Sequence, residues 1–82
     1  FNVFPNPTSG VTTVNFKLNE TSTVKINIVD VLGKEAEKVF DGNLTAGEQK
    51  LEVNQRNALT PGIYFINLKV NGANMTSKLI VN

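Results

Sequence analysis

Apolar and polar positions alternate along most of this 82-residue chain. In VTTVNFKL, Val14, Phe16 and Leu18 fall on one face while Thr13, Asn15 and Lys17 fall on the other, the period of a half-buried strand. TVKINIVD repeats the pattern with Val24, Ile26 and Ile28 set against Lys25 and Asn27. EQKLEVN does so with Gln49, Leu51 and Val53 against Lys50 and Glu52. GIYFINLKV departs from alternation, because Ile63, Tyr64, Phe65 and Ile66 are consecutive, which predicts a central strand covered on both faces at its start. MTSKLIV ends on the shorter run Leu79, Ile80, Val81. The one helix-like stretch, KEAEKVF, spans too few turns to stand alone and runs into DGN, so it reads as a strand ending at Val39 and Phe40 before a turn.

Turn residues punctuate the strands. VLGK, DGN, TAG, LTPG and VNGAN separate the apolar runs, and Asn71-Gly72 is the strongest short hairpin signal. About seven short strands follow, over 1–4, 11–18, 23–30, 34–40, 47–54, 62–70 and 74–81. Short antiparallel strands at this spacing predict an all-β sandwich of immunoglobulin-like or fibronectin-like appearance, since a lone sheet would leave one apolar face wet.

Composition narrows what such a sandwich can do. A chain this short buries about 60–65% of its unfolded surface and has on the order of 4–12 kcal/mol of stability. There are no cysteines, so the core and the backbone hydrogen bonds carry the fold. Eight basic and seven acidic residues leave a net charge of +1 with no run of either sign, which argues against a nucleic-acid surface. No apolar run has the roughly 20 residues of a membrane-spanning helix. The chain shows no signal peptide, and it reads as one domain, 1–82, cut from a longer secreted polypeptide.

Catalysis and cofactors find little support. Histidine is absent along with cysteine, which removes the commonest general base, the usual transition-metal ligands and the thiolate nucleophile. Ser77 and Lys78 are strand neighbours and point to opposite faces. Glu35 and Glu37, placed on one strand face with Asp41 nearby, offer oxygen ligands for calcium, but no D-x-D-x-D spacing supports it and a solvated face is the better reading. Asn19-Glu-Thr, Asn43-Leu-Thr and Asn74-Met-Thr match the glycosylation pattern, as an Asn- and Thr-rich chain will by chance. A glycan-binding face is poorly supplied, with no Trp and one Tyr, Tyr64, expected buried with its hydroxyl at the rim. Phe16 and Phe65 read as core.

Taken in order, FPNPTSG, IVDVLGKE, LTPGIYFINL, an Asn-Gly hairpin and SKLIV resemble the type A C-terminal sorting domain of the type IX (Por) secretion system of Bacteroidetes, over essentially the whole chain. The resemblance implies a non-catalytic, cofactor-free β-sandwich that follows a cargo domain. It implies that the domain's partners are the type IX machinery: a translocon, which takes the cargo through periplasm and outer membrane, and a sortase-like protease, which then removes the domain as the cargo is released or attached to the cell surface. It carries motif positions onto Pro5, Asn6 and Pro7, onto Gly33 and Lys34, onto Pro61, Gly62, Ile63 and Tyr64, and onto Lys78, Leu79, Ile80 and Val81. A last strand at a sheet edge would offer unpaired backbone groups to a receptor strand. The competing reading is a structural or carbohydrate-binding sandwich retained on a secreted enzyme or adhesin.

Overall fold

The computed structural model describes residues 1–82. Alternation becomes seven strands and no helix: β1 (Asn2–Phe4), β2 (Thr12–Leu18), β3 (Ser22–Asp30), β4 (Glu35–Leu44), β5 (Gly47–Val53), β6 (Gly62–Val70) and β7 (Ala73–Val81). All neighbours pair antiparallel, in a three-stranded sheet β1-β2-β5 and a four-stranded sheet β4-β3-β6-β7. The apolar phase of each strand faces the other sheet. Val14, Phe16 and Leu18 of β2 meet Val24, Ile26 and Ile28 of β3 and Ile66 and Leu68 of β6 in one buried cluster.

The Asn-Gly hairpin forms as its residues demand. Asn71 (φ 48°) and Gly72 (φ 92°) both sit in the left-handed region and close the two-residue turn between Val70 and Ala73. Tyr64 is buried, and its hydroxyl donates to the Thr60 carbonyl four residues upstream at 2.7 Å. That is the tyrosine corner of immunoglobulin-like sandwiches, at the start of the strand where those folds place it.

Three expectations are corrected. DGN is no turn, for β4 runs on through Asp41, Gly42 and Asn43 to Leu44, paired with β3 down to Ser22. Irregularities in the β3–β4 register absorb extra residues of β4, which lets a strand expected to stop at Phe40 stay paired. The same bulging separates Glu35 from Glu37: Glu35 reaches Asn27 on the outer face, whereas Glu37 accepts the Asn54 N–H at 2.9 Å. Finally, β6 is central, but only its Tyr64, Ile66, Leu68 face is buried. Phe65 lies on the outer face beside Val29 and Lys78, outside the core, and Ile63 is exposed. No second layer covers that side.

Candidate functional site

Antiparallel pairing decides where the motif positions fall. Val29 pairs with Glu35, Asp30 with Tyr64, and Gly62 with Val81. The end of β3, the start of β4, the start of β6 and the end of β7 therefore share one end of the four-stranded sheet. Gly33 and Lys34 lie in the β3–β4 turn, Pro61 to Tyr64 at the opening of β6, and Lys78 to Val81 at the close of β7. Pro5, Asn6 and Pro7 arrive at the same end from β1, in a segment whose Phe4–Pro5 and Asn6–Pro7 peptide bonds are cis. Stretches up to some 70 residues apart in sequence thus meet at one pole.

The leading segment is bound there by a row of hydrogen bonds. Asn6 Nδ2 donates to the Lys78 carbonyl at 2.7 Å, and the Ile80 N–H donates to Asn6 Oδ1 at 3.0 Å. One side-chain amide thereby does what a neighbouring strand's peptide group would do. Thr8 continues the row, its N–H donating to the Ile80 carbonyl at 2.9 Å and its carbonyl accepting from the Asn82 N–H at 2.8 Å. Thr8 forms a parallel bridge with Val81 and is buried. The Pro5 carbonyl accepts from Thr12 Oγ1 at 2.7 Å, which ties the segment back to the three-stranded sheet. Residues 5–8 thus cross from one sheet to the other and clasp the last strand.

This clasp revises the strand-addition expectation. β7 meets the condition of lying at the sheet edge. The outward Lys78 carbonyl, both outward groups of Ile80 and the Asn82 N–H are already bonded, so the free outward edge of β7 runs back from the Lys78 N–H through Thr76 and Asn74.

The β3–β4 turn is held from inside. Asp30 Oδ1 accepts the N–H groups of Leu32 at 2.9 Å and Lys34 at 3.0 Å, while the Gly33 N–H donates to the Asp30 carbonyl at 3.0 Å. Gly33, at φ 84°, supplies the left-handed residue this turn needs. The turn displays Val31 and Leu32, which are 65% and 90% exposed. Between the turn and β6 lies an open recess lined by Val31, Lys34, Ile63 and Tyr64 among others.

Asn54 is a structural residue that sequence reading passed over. It is fully buried at φ 57°. Its Nδ2 donates to the Gly10 carbonyl at 2.9 Å, and its Oδ1 accepts the Leu59 N–H at 3.2 Å. With the Glu37 contact to its N–H, it joins the β1–β2 connection, β4 and the β5–β6 connection. Its neighbours in NQRN resemble any polar loop, so no local signal marks it.

A family model described as secretion system C-terminal sorting domain matches residues 2–82. No curated protein and no solved structure matches the chain.

Proposed function

The chain belongs to the secretion system C-terminal sorting domain family, which makes it a sorting signal of type IX secretion, and on that premise we propose the finer course of its work. Residues 1–82 act as one domain covalently preceded by a cargo domain. The type IX translocon reads the domain and passes the cargo across the outer membrane. A sortase-like protease then removes it, leaving the cargo attached to the surface or released. The domain contributes recognition and no chemistry of its own.

One observation carries this reading. The motif positions come from four separated stretches and converge on one pole, built from rigid turns and a clasped strand. A receptor that reads a preformed surface spends little binding energy on ordering its ligand. The test is a fluorescent reporter carrying a signal peptide and this domain, expressed in a bacterium that has the machinery. Export to the surface or medium is expected, and retention in the periplasm would refute the proposal.

A retained glycan-binding module has one feature in its favour. The far half of the outer face is a polar trough with Asn27, Asn67, Lys69 and Asn74 along it. Mass spectrometry of released reporter separates the two: loss of the 82 residues supports sorting, and their retention supports the module.

A further inference from the structure

The outer face of the four-stranded sheet changes character along its length. At the far end it carries Lys25, Lys69 and Asn74 side by side, and the next row is Asn27, Asn67 and Thr76. A solvated sheet face looks like this. Towards the β3–β4 turn the rows become Val29 beside Phe65, then Ile63 beside Ile80. Val29, Phe65 and Ile80 are half-buried, yet none packs on the core; they lie on the other side of the sheet from it. Ile63 is 43% exposed, and Leu32 stands free at the turn tip. Apolar side chains gathered at one end of a polar face mark an interaction surface.

Charge frames the patch. Lys34 is exposed on the turn, and Lys78 stands on β7 beside Phe65. On the acidic side, Asp30 spends Oδ1 on the turn N–H groups, and Glu35, next to Val29, accepts from Asn27 Nδ2 at 3.1 Å. The two lysines have no carboxylate partner in the structure, whose one ion pair is Lys38–Asp41.

We propose that this end of the outer face is the surface by which the domain docks on a protein of the export machinery, through an apolar patch on that protein rimmed by carboxylates. The proposal rests on the sorting reading and adds the face, the mode and the partner's chemistry. The mode is face packing, because a strand added at Lys78–Asn82 would have to displace Asn6 and the buried Thr8. The partner is a protein, because two lysines set on opposite sides of a flat patch do not make the cluster of about four to eight basic residues that draws a protein to an anionic bilayer.

The test uses the exported reporter. Deleting the whole domain abolishes export if the sorting reading holds, and normal export of that deletion overturns the reading itself. Leu32→Asp with Ile63→Asp places charge on the patch at exposed positions and lowers export at least about tenfold, the scale of a lost interface anchor. Lys34→Glu with Lys78→Glu lowers it too, whereas Lys25→Glu with Lys69→Glu, an equal charge change at the far end, leaves it within about twofold. Thermal melts of the purified variants check folding, and the lysine variants carry the test if the aspartate pair melts early. Normal export of both patch variants, with the deletion still blocked, overturns the docking face alone. Equal loss from both lysine pairs overturns local complementarity. Binding of the purified domain to phosphatidylglycerol vesicles that the patch variants abolish assigns the face to lipid. A dimer in sedimentation that the patch variants dissolve assigns it to a second copy. Either result overturns the proposal.

Discussion

Replacing Asn6 by alanine tests the clasp at its tightest point. The substitution removes the donor to the Lys78 carbonyl and the acceptor for the Ile80 N–H, and leaves the Thr8 bonds in place. A net hydrogen bond is worth about 0.5–1.5 kcal/mol, and at an exposed edge water takes over the freed groups. Each therefore falls in the lower part of that range, and the two contribute about 1–2 kcal/mol together. Unfolding entropy of about 2.1 cal/mol/K per residue comes to about 170 cal/mol/K for a chain this long, so Asn6→Ala should lower Tm by about 6–12 °C. Asn6→Asp discriminates further. It keeps the shape and an acceptor for Ile80, but it sets a carboxylate oxygen against the Lys78 carbonyl. At neutral pH it should be at least as unstable as alanine, and protonation at low pH should narrow the difference. Circular dichroism melts give the stability, and amide exchange locates the loss, with Ile80 exchanging faster while Ile66 keeps its protection. An unchanged Tm together with unchanged Ile80 exchange would refute the claim that Asn6 stands in for a strand.

Two further substitutions probe the supports of the same pole. Asn54→Ala strips partners from the Gly10 carbonyl and the Leu59 N–H and puts alanine in the left-handed region, so a loss of about 2–4 kcal/mol is expected in urea denaturation. A loss below about 0.5 kcal/mol, the level of an ordinary surface change, would show the hub to be incidental. Asp30→Ala frees the Leu32 and Lys34 N–H groups at an exposed turn and should cost only about 1 kcal/mol. Its larger effect should appear in reporter export, because the turn tip loses its fixed shape; unchanged export would count against a preformed tip.

Much of the sandwich is visible in the order of residues, and the gaps have physical reasons. The inward phases of β2, β3 and β5 follow from alternation alone, because burying the wrong phase would put Lys17, Lys25 or Lys50 inside. The Asn-Gly hairpin and the Gly33 turn are local, and they form where their residues say. β4 defied its Asp-Gly-Asn because pairing with β3 outweighed a turn preference, and the bulges that allow this leave no mark on composition. Phe65 looked like core because the consecutive Ile63, Tyr64, Phe65 and Ile66 suggested a strand covered on both faces, yet its outward phase follows from the burial of Tyr64 and Ile66 on either side of it. The clasp was beyond sequence reading altogether: Asn6 and Lys78 are 72 positions apart, and no periodicity links them. The motif positions could be read as a series, but their meeting at one pole needed the strand order.

The bonds from Asn6 and Thr8 to Lys78, Ile80 and Asn82 also give the domain a sense of completeness. The segment that closes the pole lies at one end of the domain's sequence and its partner strand at the other, 72 positions away. Leu79 and Val81 supply core side chains from that same last strand. A chain stopped short of them has neither the inner packing nor the outer seam, and a closure between segments this far apart must overcome the entropy of a long loop. The pole can therefore exist only on a domain in which both segments are present and paired. A receptor that reads the pole reads, in one act of binding, that the domain's two distant segments have met and that the fold has closed.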